Sequence, residues 1–209
     1  MSQENIDINK IIKETRETLQ NPKEYFSSMP LSGGFAEPVI KAAMYGVAAG
    51  IFSLIWSLLN LAPMGAGGMW EGTFGIMSLI WSIIGAIVAV FIGGAIVLII
   101  SAICGGNTNY EANVRVAASL MVLFPINAFL YFLYGINTTL GELSGLAISL
   151  WSVYLVYLAA IMALKGREST AKIVAVVLLV LSLLGFWGGS QANKNFEDIS
   201  DSYQFEQLD

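Results

Sequence analysis

The run TFGIMSLIWSIIGAIVAVFIGGAIVLIISAI, from Thr73 to Ile103, holds 31 residues and no charged side chain. As a single α-helix it would be about 46 Å long, because each residue adds about 1.5 Å. This is longer than the roughly 30 Å hydrocarbon core of a bilayer, and tilting of the helix can absorb the excess. The run lacks the apolar–polar alternation of a barrel strand. It therefore predicts a membrane-spanning α-helix.

Four more uncharged runs are long enough to cross a bilayer: Ala42–Trp70, Val116–Gly141, Leu143–Leu164 and Ile173–Asn193. Charged residues make up 12% of the 209-residue chain, against about 25% in soluble domains, and the mean hydropathy is +0.70. We predict an all-α fold, an integral membrane bundle of five transmembrane helices. The spans are expected at about residues 40–61, 73–103, 114–136, 142–164 and 171–189, within a membrane domain of residues 38–190.

The basic residues predict the number and direction of the spans. With five spans and a cytoplasmic N-terminus, nine of the ten Lys and Arg residues are cytoplasmic and Lys194 is external. Splitting the Thr73–Ile103 run into two helices would move Arg115 and the basic residues of 165–172 outside. That would contradict the positive-inside rule. We therefore predict a cytoplasmic N-terminus and an external C-terminus.

The two ends of the chain are polar. In residues 1–37, Ile8, Ile11 and Ile12 recur at helical spacing, which predicts a short amphipathic helix at the cytoplasmic membrane surface. A second short helix should start at NPKEYF, with Asn21 as its cap and Pro22 at its first position. Residues 191–209 predict a flexible, acidic, external tail.

Several functional classes are disfavoured. The chain has no His and a single Cys104, so a zinc, haem or copper site is not expected, and neither is an internal disulfide. We expect no cofactor and no metal. The net charge of −5 gives no support for nucleic-acid binding. No charged pair or nucleophilic dyad lies at membrane depth, so the sequence does not predict an enzyme.

Small residues mark expected helix contacts. Gly46 and Gly50 form a GxxxG pattern in the first span, and Gly85, Ala89 and Gly93 continue the four-residue spacing in the second. Such residues let helix backbones approach closely in lipid. We expect all of them to support helix packing, and Gly46 and Gly50 to support a homo-oligomer such as a dimer.

Polar residues interrupt the chain between the second and third spans, in CGGNTNYEANVRVAASLMVLFP, residues Cys104–Pro125. A plain loop and a functional site are both open explanations. Gly105 and Gly106 should end the second helix, and Asn107 or Thr108 should cap the third. The candidate functional motif comprises Gly105, Gly106, Tyr110, Glu111, Arg115, Pro125 and Asn127.

Specific contacts are expected within this motif. Glu111 and Arg115 are spaced i, i+4, which favours a local ion pair, and Arg115 can extend to the cytoplasmic surface. Tyr110 should pack back against the bundle. Pro125 frees the carbonyl of the residue four positions earlier, and with Asn127 it should form a polar break deeper in the third helix.

The glycine pair, the polar turn and YEANVRVAASLMVLFP together resemble the Yip1-domain family of polytopic membrane proteins. Three further stretches fit that family: NPKEYFSSMP before the first span, LWSVYLVYLAAIMALKG in the fourth, and STAK leading into the fifth. The resemblance implies five spans with a cytoplasmic N-terminus. Eukaryotic relatives act in vesicle trafficking and associate with Rab GTPases and with each other. The short N-terminus is more similar to bacterial members, which implies the bacterial cytoplasmic (inner) membrane.

Two functions remain in view. The first is a non-enzymatic membrane scaffold or adaptor, whose partners are the lipid bilayer, further copies of itself and other membrane proteins. The second is a transporter or channel for a small solute, an ion or a lipid. No charge lies clearly at the centre of a span, although Asn60, Asn127 and hydroxyl groups could line a path for a neutral solute or a lipid headgroup.

Overall fold

The structure, a computed structural model, describes residues 8–59, 61 and 75–206, and for residues 75–78 and 190–206 it describes the helical backbone only. Within these parts of the chain every regular element is helical. Five helical stretches are long and apolar enough to cross a membrane: Ala36–Leu58, Leu79–Ile103, Tyr110–Ile136, Thr138–Ala163 and Glu168–Gly189. The all-α, five-span fold class is confirmed.

Two short helices precede the spans. Helix α1 (Ile8–Gln20) buries one face, including Ile11, and leaves Ile8 and Ile12 exposed. Helix α2 (Pro22–Ser28) begins at a proline, where a missing N–H costs nothing. Asn21 is the N-cap residue, as expected, but its side chain makes no capping hydrogen bond.

The first two spans are α3 (Ala36–Leu58) and α4 (Gly75–Ile103), and they pack along one another. Helix α4 is continuous over 29 residues. The long uncharged run is therefore one span, as the basic residues predicted. A single continuous helix is favoured because its interior contains no proline.

The third span is divided into α5 (Tyr110–Leu120), α6 (Leu123–Leu130) and α7 (Phe132–Ile136). The first break, at Met121 and Val122, lies just before Pro125. The Met121 carbonyl cannot receive a bond from Pro125, which has no N–H, and it accepts instead from the Phe124 amide at 2.9 Å. The tighter turn satisfies the group that the proline leaves free.

The fourth span, α8 (Thr138–Leu158), widens into a π-helical turn over Ala159–Ala163. After a short loop, α9 runs from Glu168 to Glu206. The flexible tail expected after residue 190 is therefore helical to Glu206. No proline lies between Glu168 and the C-terminus to interrupt it.

The apolar core lies toward the end of the bundle that α2 covers. Phe26 of α2 is fully buried there among residues of the spans, including Val114 and Leu158. Helix α9 is packed differently. In its most apolar window 6% of the residues are buried, against 22–33% in the other four spans. The protein is tightly packed at one end, and its last span is loosely held.

Candidate functional site

The turn after α4 is built on two glycines that serve different purposes. Gly105 has φ +68°, a left-handed conformation that other residues resist. Gly106 is needed for space, because a Cβ there would lie 2.7 Å from the Leu164 carbonyl oxygen and 2.8 Å from the Ser101 hydroxyl. Helix α4 therefore ends where the sequence predicted. The sequence argument expected both glycines to adopt unusual backbone conformations, but only Gly105 does so.

This turn is joined to the loop between α8 and α9. The Asn107 amide donates to the Leu164 carbonyl at 2.7 Å, and the Arg167 amide donates to the Cys104 carbonyl at 2.8 Å. Lys165 has φ +59°, and the hydrogen bonds on both sides hold it in this unfavourable conformation. The two loops form one rigid unit, which we call the paired loops (residues 104–109 and 164–167).

Asparagines organise the start of α5. The Asn109 side chain accepts the Ala112 amide at 3.1 Å, and the Asn107 side chain accepts the Asn109 amide at 2.9 Å. Asn109, rather than Asn107 or Thr108, is therefore the cap. Asn113 was not singled out from the sequence. It is fully buried and donates to the carbonyls of Asn107 and Asn109. Its position four residues after the Asn109 cap could have indicated this role, because it places Asn113 on the same side of the helix as the cap.

Arg115 makes a buried ion pair with a residue far away in the sequence. Its Nη1 and Nη2 lie 3.0 and 2.9 Å from Oε2 of Glu37, at the start of α3. The Arg115 side chain is 5% exposed, so it does not extend to the surface as expected. The segment between α2 and α3 covers it, and a Cβ on Gly33 would lie 2.8 Å from Nη2.

Glu111 also has another partner than the one expected. Its Oε1 accepts the amide of Gly34 at 2.6 Å, so its carboxylate holds the α2–α3 segment over the first turn of α5. A negative charge at that position also interacts favourably with the helix N-terminus. Tyr110 donates its hydroxyl to the Phe91 carbonyl of α4 at 3.0 Å, in agreement with packing back on the bundle.

A second ion pair lies beneath α1 and α2. Lys41 of α3 contacts Oε2 of Glu14 at 2.6 Å, and its Nζ also lies 3.2 Å from the Tyr25 hydroxyl. That hydroxyl is 2.6 Å from Oγ of Ser119 on α5. Lys41 is 4% exposed and Glu14 is 9% exposed. Four elements therefore meet at one ammonium group.

The two pairs are connected through Lys10, which lies 3.3 Å from Glu37 and 3.8 Å from Glu14. We call these groups the ionic cluster (Lys10, Glu14, Glu37, Lys41 and Arg115). Three cations face two carboxylates, and the pocket between them has a volume of only about 10 Å³. Removing one member of a buried pair costs about 3–5 kcal/mol, because the other charge is left uncompensated. The cluster thus fastens α1 and α2 to α3 and α5.

The contacts of the cluster are ion pairs and hydrogen bonds between helices. Among the described residues, no group of three or more His, Cys, Asp or Glu side chains could hold a metal ion. In the paired loops, burial raises the pKa of the Cys104 thiol.

A scan against family models matches the Yip1 domain over residues 16–189. The chain belongs to the Yip1 family. The matched region covers all five spans and the last five residues of α1, and so includes the ionic cluster apart from Lys10 and Glu14. Searches of curated proteins and of solved structures give no significant match.

The deeper polar residues of the Yip1 domain lie elsewhere. Pro125 is in the first turn of α6, and the exposed Asn127 lies two residues further on. Asn127 faces a cavity of about 880 Å³ between α4, α6, α8 and α9. Neither residue belongs to the ionic cluster. The predicted motif of seven residues is therefore divided: five lie in or next to the turn before α5, and Pro125 and Asn127 lie in α6.

The predicted packing glycines of the Yip1 domain have three different environments. A Cβ on Gly46 would lie 2.9 Å from the Ala86 methyl, and one on Gly50 would lie 3.1 Å from the Leu79 Cα, so both face α4 of the same chain. Gly93 faces Ala117 of α5 at 3.4 Å. Gly85 has nothing within 4 Å. The GxxxG of the first span is thus used within one molecule.

Two close contacts were missed from the sequence. A Cβ on Gly94 would overlap Val114 of α5, and one on Gly141 would overlap the ring of Tyr134. Both glycines allow neighbouring helices to approach more closely than alanine would. Neither lies in a four-residue ladder with Gly85, which is why the spacing did not reveal them.

Proposed function

We propose that this multi-pass membrane protein is a non-enzymatic scaffold or adaptor that acts by self-association or by binding other membrane proteins. The observation that carries the proposal is the open face of α4. On this face Trp81 is 61% exposed, Gly85 has no neighbour within 4 Å, and Ala89 is exposed. Membership of the Yip1 family supports the proposal in a general way.

The physical basis is close packing in lipid. Small residues four positions apart form a shallow groove on a helix, and another helix can enter it to gain van der Waals contact. Gly46 and Gly50 are already filled by α4, whereas the groove at Gly85 and Ala89 is open toward the membrane. We therefore assign self-association to α4.

Mass measurement in lipid nanodiscs tests this assignment. The native protein should form an oligomer, and Gly85→Ile should give monomers that keep their thermal stability. Ala95→Ile is the matched control, because Ala95 is also an exposed small residue of α4 but lies on a different side of the helix. A monomeric native protein, or an oligomer that Gly85→Ile leaves intact, would refute the use of this face.

We further propose the bacterial cytoplasmic membrane as the location, with residues 1–37 cytoplasmic, residues 38–190 forming the membrane domain, and the acidic residues 191–209 external. The bias of nine basic residues in ten supports this direction. Cysteines introduced at Ser169 and Ser202 can be probed with an impermeant thiol reagent in intact cells. We expect labelling at Ser202 only, and labelling at Ser169 only would reverse the orientation.

A transporter of a small solute, ion or lipid is the second candidate function. The cavity of about 880 Å³ beside Asn127 favours it. Flux from proteoliposomes above an empty-liposome control, lost in Asn127→Leu, would support transport over the adaptor function. Equal flux in both preparations would exclude this use of Asn127.

A further inference from the structure

The two short N-terminal helices lie along the flank of the bundle rather than beyond its end. The Thr15 hydroxyl of α1 is 2.8 Å from the Tyr45 hydroxyl of α3, and the Tyr25 hydroxyl of α2 is 2.6 Å from Oγ of Ser119 on α5. Tyr45 and Ser119 each lie nine residues after the first residue of their helices. At about 1.5 Å per residue, both contacts are about 14 Å along the spans.

This depth brings the turn between α1 and α2 to the edge of the hydrocarbon layer. The uncharged runs of α3 and α5 begin at Ala42 and Val116, each six residues after the start of its helix and so about 9 Å along it. The polar layer on each side of a bilayer is about 5–7 Å thick. Helices α1 and α2 therefore extend through the headgroup layer at their end of the bundle, which is cytoplasmic in the orientation proposed above.

A cavity of about 350 Å³ lies between this turn and α8. The residues that line it are Gln20, Asn21, Pro22, Lys23, Glu24 and Tyr154. Tyr154 lies nine residues before the end of the π-helical turn at Ala163, so α8 places the cavity at a similar depth. The ring centroids of Tyr154 and Trp151 are 5.3 Å apart, and both side chains are exposed. Exposed aromatic rings of this kind are common at a membrane interface.

The hydrogen-bond donors around this cavity lack acceptors. The Asn21 side chain makes no capping bond, and neither the Lys23 ammonium nor the Tyr154 hydroxyl is bonded to any residue that the structure describes. Arg16 is tied to the cavity through Gln20, whose Oε1 accepts its Nε at 2.8 Å, and it has no carboxylate partner among the described residues. Unpaired donors are unfavourable where water is scarce. The group that fills the cavity in a membrane should therefore supply several acceptor oxygens.

The charge around the turn favours an anion. Lys23 lines the cavity and Arg16 adjoins it, while Glu24 is the acidic residue of the lining. Glu17, the next acidic residue of α1, is paired with Lys13 at 3.7 Å. Of the groups that the structure describes, one positive charge is thus left over, which matches the single negative charge of a phosphodiester. Guanidinium and ammonium groups both bind phosphate oxygens through strong, charge-assisted hydrogen bonds.

We propose that the α1–α2 turn and Tyr154 bind the phosphate of a phospholipid in the cytoplasmic leaflet. Lys23 and Arg16 donate to the phosphate oxygens, since long basic side chains can extend from the hydrocarbon edge to the headgroups. The Asn21 amide and the Tyr154 hydroxyl donate to the same headgroup, and the acyl chains pass Trp151. The bound lipid holds α1 and α2 at this depth. The site lies apart from the open face of α4 and from the larger cavity beside α9, so each can fail without the others.

Native mass spectrometry of the whole protein in detergent micelles tests the proposal. The probes are phosphatidylglycerol and a diacylglycerol with the same acyl chains, which lacks the phosphate. We expect phosphatidylglycerol to be retained at least tenfold better. Lys23→Gln and Arg16→Gln should each weaken its retention about tenfold, the effect of one charge-assisted hydrogen bond, and Tyr154→Phe should weaken it by less. Lys13→Gln is the matched control, because it removes an exposed cation of α1 that does not line the cavity.

Four outcomes would overturn the proposal. Equal retention of phosphatidylglycerol and the diacylglycerol by the native protein would mean that the phosphate is not recognised. Unchanged retention of phosphatidylglycerol in Lys23→Gln plus Arg16→Gln would place the lipid elsewhere. An equal loss in Lys13→Gln would show a general attraction between the basic helix and the lipid rather than a site at the turn. Displacement of the lipid by glycerol phosphate, a soluble compound with the same anionic group, would show that the site takes a free anion.

Discussion

Replacing Lys41 with methionine should release the N-terminal helices from the bundle. Methionine keeps most of the length of the side chain and removes only the charge and the donors. The ammonium group lies 2.6 Å from Oε2 of Glu14 and 3.2 Å from the Tyr25 hydroxyl, so its loss removes a partner from both α1 and α2. The Glu14 carboxylate is then left in a site where it is 9% exposed.

The expected cost can be bounded from this geometry. Breaking a buried ion pair by removing one partner costs about 3–5 kcal/mol. Lys10 lies 3.8 Å from Glu14 and is half exposed, so it compensates part of the charge, and we expect the lower end, about 3 kcal/mol. For a chain of this size each 1 kcal/mol corresponds to about 2–4 °C in Tm. The melting temperature should therefore fall by about 6–12 °C.

Two measurements check this result. Circular dichroism gives the melting temperature in detergent. Limited trypsin digestion shows whether α1 has detached and unfolded enough to be cut after Lys13 and Arg16, which are exposed but helical in the native protein. Lys172→Met is the matched control, because it breaks a pair of similar distance, 2.8 Å to Glu168, whose side chains are 63% and 64% exposed. Solvent screens that pair, so its loss should leave Tm nearly unchanged.

A double variant separates the charge from the packing. In Glu14→Gln plus Lys41→Met neither charge remains uncompensated, so part of the lost stability should return. If Lys41→Met changes neither Tm nor trypsin cleavage, the ionic cluster does not fasten the N-terminal helices. The reasoning is also wrong if the double variant loses as much free energy of unfolding as the two single variants lose together.

Three further predictions concern the glycines and the thiol. Gly94→Val should lower the free energy of unfolding by about 1–3 kcal/mol or more, because the new side chain overlaps Val114. Gly85→Val should change the free energy of unfolding of a monomer by less than about 0.5 kcal/mol. Thermal melts of the two variants test this difference. Gly106→Val should prevent the paired loops from closing and reduce the yield of folded protein, seen by gel filtration. Since burial raises the pKa of the Cys104 thiol, maleimide labelling at pH 8 should be slow in the folded protein and rapid after unfolding, as mass spectrometry can follow.

The number of spans could be derived from the sequence because it depends on additive properties. Lengths of uncharged runs and counts of basic residues require no knowledge of contacts. The end of α4 was also accessible, since a glycine pair followed by polar residues is a local signal. Local signals failed for the C-terminal segment, where acidic composition suggested a flexible tail and the backbone is helical to Glu206.

The partners of the charged residues could not be derived in this way. The i, i+4 spacing of Glu111 and Arg115 suggested a pair, yet Arg115 binds Glu37, which is 78 positions away. Such a contact depends on how α3 and α5 pack and on the path of the α2–α3 segment. The glycines pose a similar problem. Gly85 and Gly94 lie on one helix, and only its rotation within the bundle determines which of them meets α5.

The two ends of α9 are held in different ways: the paired loops fix its start, and its later part borders the membrane cavity. Its first residues follow the paired loops, where the Arg167 amide is bonded to the Cys104 carbonyl, while its outer half borders the cavity through Ser182 and Gly185. Motion of α9 is therefore easiest at its outer end, about a pivot at residues 165–167. Emptying or filling the cavity should change the tilt of α9 without disturbing α1, α2 or the ionic cluster. Hydrogen exchange should then respond to the cavity-filling variant Gly185→Leu in the outer half of α9 and not in residues 8–28, and a response in both would mean that the bundle moves as one body.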